Sequence, residues 1–438
     1  MKSAKLQRVQ NAALILLVLA GLINSLDRST LAIANSSITA EMGLSASEMG
    51  LLLSAFSLPY AFAQLPMGVL LDRLGARIAL GLGILIWSLA QLGGGFVRGL
   101  NQLFVARVVL GIGEAPQFPA AAKVVSEWFA VKERGRPTGI IVASTTIGPA
   151  LAPPLLTGMM LFFGGWRGMF IAMGVIGIAV GVAWYVMYRD RNSVHLEAGE
   201  IQYLEAGAIE SGTTPITAAE WRGLFEQRTV WAMIVGFMGV IYMIWLYLTW
   251  LPAYLERERG LSLTSSGWIV AIPYLGGTLG MLSSGFVADR LLARGMTPIA
   301  SRKWPVCVGL LFAALFTVPA AYTPSLVLAI LYISLALYFV NLACGGAWAL
   351  VSVAAPRRLV ASLGSVQNFG GYLGGSLAPI LTGVIVDTTH SFVNALLISA
   401  AVSMAGALVY LFGVKDPVVS VNRSADMTST ASRARSRT

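Results

Sequence analysis

Gly68-Val-Leu-Leu-Asp72-Arg73 and Gly285-Phe-Val-Ala-Asp289-Arg290 are one short pattern written twice, and their placement decides the fold. Each follows the second long apolar run of its half of the chain. A second pair keeps the same register. Leu151-Ala-Pro-Pro-Leu-Leu-Thr-Gly158 is answered by Leu377-Ala-Pro-Ile-Leu-Thr-Gly383 at roughly the same interval. Two matches in register identify an internal duplication. Each copy holds six apolar runs near the ~20 residues that cross a bilayer core as a helix.

Composition agrees. The chain is 56% hydrophobic and 11% charged, against about 25% charged in soluble domains. A soluble protein could not cover its surface with so few charges. A membrane β-barrel would instead show alternating segments of about 10 residues. The expected architecture is therefore an all-α polytopic membrane protein with spans at 11–38, 47–70, 77–97, 101–126, 137–162, 167–188, 229–255, 266–288, 303–321, 325–350, 359–386 and 391–413. The first is too long for a cleavable signal, and eleven more follow it. The halves predict four parts: a six-helix bundle over 1–190, a polar linker over 191–228, a second bundle over 229–413 and a disordered tail over 414–438.

Lys and Arg set the orientation. With both ends inside, the cytoplasmic side receives Lys5, Arg8, Arg73, Arg77, Lys132, Arg134, Arg189, Arg290, Arg302, Lys303, Arg357 and Arg358 among others. The outer side receives only Arg98, Arg167, Arg257 and Arg259. The net charge of +10 is thus a topology signal and not a nucleic-acid footprint. The expected partners are the lipid bilayer and a small substrate, with no nucleic acid, and a monomer is the expected state. Parallel six-span repeats are the layout of one transporter class, with the substrate site at midplane.

Four ionisable residues lie deep within spans: Asp27, Arg28, Arg107 and Glu114. A charge at the bilayer centre costs at least ~2.5–3.5 kcal/mol, so such residues are usually functional and partnered. Counting at 1.5 Å per residue from the span ends puts Asp27 and Arg28 between the heights of Arg107 and Glu114. The latter two share one helix face. One cluster in the first half is predicted, neutral when all four are ionised. A structural ion-pair lock between the first and fourth spans is the bland alternative. Against it, the second half has no intramembrane charge. An arginine held in a polar cavity can donate two parallel hydrogen bonds to a carboxylate. A carboxylic acid beside it can exchange protons as its surroundings change.

Gly68-x-x-x-Asp72-Arg73-x-Gly75-x-Arg77 resembles the loop signature of the major facilitator superfamily, between spans two and three. Asn24-x-x-Asp27-Arg28 and Arg107-x-x-x-Gly111-x-x-Glu114-Ala115, followed by Phe118-Pro119 and Trp128-Phe129…Glu133-Arg134-Gly135, resemble its anion:cation symporter branch. That branch includes bacterial galactonate, hexuronate and glucarate carriers. The resemblance implies proton-coupled uptake of a small organic anion, a sugar acid first, by alternating access across a bacterial inner membrane. It implies Arg28 as carboxylate anchor, Asp27 and Glu114 as protonation sites with Arg107 tuning them, and Gly68, Asp72, Arg73, Arg77, Asp289 and Arg290 as gating residues. No cofactor is implied beyond the proton as coupling ion. The sugar-acid carriers often have Tyr where this chain has Ser25, and Gln near Thr145 and Thr146. An aromatic or other small carboxylate, or anion antiport, is the runner-up.

Tyr60 is a cavity candidate, because a buried Tyr needs a partner for its hydroxyl. Asn341 and Asn368 are amides in apolar spans, suited to substrate hydroxyls or to interhelical bonds. Ser365-Val-Gln-Asn368-Phe-Gly-Gly resembles the eleventh-span substrate motif of the branch. Thr145 and Trp348 complete the substrate-site candidates, and Trp250 reads as an interface anchor. Gly276-Gly277-x-x-Gly280 and Gly370-Gly371-x-x-Gly374-Gly375 lie inside apolar runs, with no strand before them and no Lys-Ser/Thr after them. They read as helix packing and not phosphate loops. A membrane enzyme would need a catalytic set, and no His or metal cluster lies in any span.

Overall fold

The computed structural model describes residues 3–130, 133–205, 218–355, 359–415 and 417–418. The described residues form helices and connections, with no strand among them. In chain order the helices are α1 (Ala4–Ile33), α2 (Asn35–Met42), α3 (Ala46–Ser54), α4 (Ser57–Gly94), α5 (Leu100–Glu114), α6 (Gln117–Trp128), α7 (Gly135–Phe162) and α8 (Trp166–Met187). They continue as α9 (Ala198–Glu205), α10 (Ala218–Leu224), α11 (Arg228–Arg257), α12 (Leu263–Ala293), α13 (Pro298–Tyr322), α14 (Leu326–Ala354), α15 (Val360–Thr389) and α16 (Val393–Gly413).

Among the described residues, eleven helical stretches are long and apolar enough to span a membrane. The remaining expected span, the fourth at 101–126, is split. Its place is taken by α5 and α6, end to end around Ala115 and Pro116, each too short to cross alone. Proline at 116 has no N–H to continue α5, so the break falls beside Glu114. The protein is a multi-pass membrane protein with the twelve-helix fold.

Caps set several helix ends. Ser3 Oγ accepts the Leu6 N–H at 3.0 Å. Ser45 and Glu48 form a reciprocal capping box at the start of α3. Thr297 accepts the Ala300 N–H ahead of Pro298, the first residue of α13. Spans two and three are not separate helices at their junction. They run on as α4, turned at Gly75, where φ is 78° and ψ is 163°. Only glycine takes that conformation without cost. A Cβ there would also stand 2.5 Å from the Asp190 carboxylate, which accepts the Arg77 N–H at 3.1 Å. Gly75 of the loop that follows the first motif is therefore a turn that buries its backbone against an acid.

The chain packs as two bodies that cut across the sequence halves. The first comprises Met1–Ser211, Trp245–Leu275 and Ser376–Ala395; the second comprises Gly212–Ile244, Gly276–Gly375 and Leu396–Thr438. The first body joins α1–α8 to the last part of α11, the first part of α12 and the last part of α15. Asp387 accepts the N–H groups of Ala46 at 2.8 Å and Ser47 at 2.7 Å. It thus adds a carboxylate to the positive end of α3, the stabilising sign for a helix N-terminus. Trp250 Nε1 donates to the Pro379 carbonyl at 3.2 Å. Trp250 is 1% exposed, so it is a buried packing residue and not the interface anchor expected. In the second body, α13 and α14 pair along their lengths. Gly309 lies against the Phe339 carbonyl and Ala343 there, where a side chain would not fit. Glycines 276, 277 and 280 pack against α14, as packing glycines should. Of the expected linker, 206–217 lies outside the described residues. So do Lys132, Arg357, Arg358 and, in the expected tail, 416 and 419–438.

Candidate substrate and proton site

Asp27, Arg28, Arg107 and Glu114 meet in the first body. Arg28 Nε donates to Glu114 Oε2 at 2.7 Å. The Arg28 guanidinium lies over the Phe56 ring at 4.8 Å and the Tyr60 ring at 4.7 Å. Phe56 and Tyr60 stack at 5.3 Å, and Phe56 and Trp245 stack at 6.0 Å. Each such cation–ring contact is worth about 0.5–2 kcal/mol. One carboxylate and two rings thus fix the arginine before any ligand arrives. Its side chain stays 15% exposed while Glu114 is fully buried.

The partner of Arg107 differs from simple pairing of opposite charges. Arg107 Nη1 donates to the backbone carbonyl of Asp27 at 3.3 Å, not to its carboxylate. Its guanidinium lies 5.8 Å from the centre of the Phe56 ring. Asp27 is 0% exposed, and neither carboxylate oxygen has a hydrogen-bond partner among the described residues. The Asp27 carbonyl also accepts from Thr30 Oγ1 at 2.7 Å. The backbone at Asp27 is therefore fully used and the side chain is not. An ionised carboxylate left so is very costly in a low-dielectric interior.

Local sequence explains why these groups meet. A Cβ on Gly111 would overlap the Phe56 carbonyl oxygen, so the glycine of Arg107-x-x-x-Gly111-x-x-Glu114 lets α5 touch the α3–α4 junction. Gly113, on another face, meets the Trp87 backbone and side chain. The charged positions and the glycines between them belong to one packing device. Gly111→Ala is expected to lower stability by about 1–3 kcal/mol through overpacking. The melting temperature of the purified protein measures it. An unchanged melting temperature would mean that the α5 contact is not tight.

The structure places the other candidates as follows. Tyr60 is 1% exposed, and its hydroxyl accepts from Gln64 Nε2 at 2.7 Å. Thr145 Oγ1 donates to the Val142 carbonyl at 2.8 Å, and the Thr145 carbonyl accepts from Ser25 Oγ at 3.2 Å. The departure at Ser25 has a packing reason. A Cβ on Gly148 would overlap Ser25, so the two small residues let α1 and α7 touch. Asn341, Trp348 and Asn368 belong to the second body. Asn341 Nδ2 donates to its own helix at the Leu337 carbonyl, 2.9 Å away. Trp348 is 43% exposed, edge-on to Phe237. Asn368 is half-buried, whereas its neighbour Gln367 is buried with Nε2 on the Ala347 carbonyl at 3.5 Å.

Among the gating candidates, Gly68, Asp72 and Arg73 lie on the first arm of α4, and Arg73 is exposed. The Asp72 side chain lies outside the described residues. Arg77 is tied down: its Nε donates to the Tyr185 carbonyl at 3.0 Å and its guanidinium covers the Tyr185 ring at 4.6 Å. Asp289 and Arg290 are exposed near the end of α12. Sequence reasoning missed Phe56, the ring shared by both arginines. The signal was available in Gly111, which marks a close approach without saying to what.

Twelve spans in a duplicated pattern, with one buried ionic cluster and two fixed arginines, define a membrane transporter. Residues 17–379 match the family model described as Major Facilitator Superfamily, and the chain belongs to that superfamily. It is 48% identical to the probable L-galactonate transporter of Escherichia coli (strain K12), over 95% of this chain and 92% of that protein. It is 33% identical to the D-galactonate transporter of Escherichia coli O6:H1, over 94% and 97%. It is 30% identical to the hexuronate transporter of Bacillus subtilis (strain 168), over 93% and 94%. Among solved structures, a bacterial homologue of the human lysosomal transporter Spinster, inward-facing and occupied, shares the fold. Its TM-score is 0.76 at 20% identity, covering 92% of this chain and 97% of that one.

Proposed function

We propose that the protein is a symporter that takes up a sugar acid together with a proton, by alternating access, across a bacterial cytoplasmic membrane. Both termini lie in the cytoplasm in this reading, as the Lys and Arg distribution favours. The observation that carries it is the pairing of a fixed arginine with an unpaired acid. Arg28 is held by Glu114, Phe56 and Tyr60, and beside it Asp27 is fully buried with no donor. Arg28 offers a carboxylate anchor. Asp27 and Glu114 are the proton carriers, with Arg107 holding the Asp27 carbonyl. The relatives named for galactonate and hexuronate support an acid with several hydroxyls.

Substrate competition for Arg28 gives a route to coupling. An incoming carboxylate and Glu114 both want the same guanidinium. Protonating Glu114 frees the arginine for substrate at little electrostatic cost. Deprotonation restores the pair and expels the anion. The binding experiment is thermal stabilisation of purified protein by galactonate, galactarate, a hexuronate, benzoate and acetate at acid and neutral pH. Ligand at 100 Kd adds about 2.7 kcal/mol by mass action. Stabilisation by the sugar acids, stronger at acid pH, is expected. Stabilisation by benzoate or acetate alone would replace the substrate class, and a shift independent of pH would remove the proton.

A further inference from the structure

Gln117 opens α6, one turn beyond Glu114 and across the break at Pro116. It is 1% exposed, and neither Oε1 nor Nε2 has a hydrogen-bond partner among the described residues. A buried amide without a partner costs about 1–3 kcal/mol.

Its surroundings say what is missing. The amide lies where α1, α6 and α7 converge. A Cβ on Gly21 would stand 3.6 Å from Gln117 Nε2, 2.7 Å from Ser144 Oγ and 3.4 Å from Thr145 Cγ2. Glycine at 21 lets α1 come close to all three side chains. The Ser144 hydroxyl has already committed its proton to the Ile141 carbonyl at 2.7 Å, so it can only accept a further bond, and Thr145 turns its methyl to the corner. A group that bonds both Ser144 Oγ and the Gln117 amide both donates and accepts, which is what an alcohol does.

We propose that Gln117 reads a hydroxyl of the substrate's carbon chain while Arg28 holds its carboxylate. Gly21 and Arg28 lie on one helix about 10 Å apart along its axis. The chain of a hexonate, met by two long side chains, covers that distance. Gln117 would thus separate polyhydroxy acids from plain carboxylates, because a polar site rejects a ligand that leaves its groups unpaired. The inference rests on the sugar-acid reading above and names the part of the ligand that this corner recognises.

The test compares galactonate and a set of its monodeoxy analogues on the wild type, Gln117→Ala and Gln117→Leu. Both variants are expected to bind galactonate about 10-fold or more weakly. One deoxy analogue should bind weakly to the wild type yet lose nothing further in Gln117→Ala, which identifies the hydroxyl. Without ligand, Gln117→Leu should melt no lower than the wild type, since the amide it removes had no partner. Equal galactonate affinity in all three proteins overturns the inference alone. So does a lower ligand-free melting temperature with every deoxy penalty unchanged, which would make Gln117 structural. A wild type that binds no sugar acid overturns this inference and the substrate reading together.

Discussion

Arg28→Ala is expected to abolish measurable sugar-acid binding. A hydrogen bond to a charged group is worth about 1.5–3 kcal/mol, so Kd should rise about 10- to 150-fold from that loss alone. The variant does a second thing. It leaves Glu114, fully buried, without the guanidinium 2.7 Å away. Removing one partner of a buried pair costs about 3–5 kcal/mol, so Arg28→Ala should also melt lower. The two effects separate in Arg28→Ala combined with Glu114→Gln. With no Glu114 charge left to strand, stability should return while binding stays lost. Arg28→Lys should recover little, because an ammonium lacks the planar fork and stacks less well over Phe56 and Tyr60. Normal galactonate binding by the double variant would remove Arg28 from the substrate site.

Asp27→Asn and Glu114→Gln are expected to uncouple transport from the proton without destroying exchange. A gradient of about one pH unit supplies ~1.4 kcal/mol per proton, enough for ~10-fold accumulation. In vesicles with an acid exterior, the wild type should concentrate galactonate and the double variant should only equilibrate it. Counterflow of labelled against unlabelled galactonate needs no net proton movement and should persist. Of the single variants, Asp27→Asn should be the milder on folding, since its carboxylate has no hydrogen bond to lose. Glu114→Gln removes the charge that holds Arg28 and should shift the pH dependence of binding as well. Accumulation driven by the pH gradient in the double variant would place the proton elsewhere, and loss of counterflow would make both residues structural.

Much of this was legible before any fold was drawn. Twelve apolar runs, two matched motifs and the Lys and Arg bias follow from the bilayer's thickness and its cost for charge, which act on each segment alone. The same local physics singled out Asp27, Arg28, Arg107 and Glu114, and helix rise was enough to predict that they share one level. Which groups pair was not legible, because partners come from different helices. Only the tertiary structure decided that Arg107 holds the Asp27 carbonyl and leaves its carboxylate alone, and that Phe56 serves both arginines. Trp250 shows the same limit. A tryptophan near a span end suits the interface equally well by sequence, and burial against Pro379 is a fact about α15. Ser25 and Thr145 read as lost polar contacts in isolation. In the fold Ser25 is the small residue that Gly148 requires, and Gln117 brings an amide from another helix to the same corner. Sequence by itself determined how many helices cross and which charges the membrane must contain. Tertiary structure decided which buried polar group has a partner, because that depends on what packing brings within 3 Å.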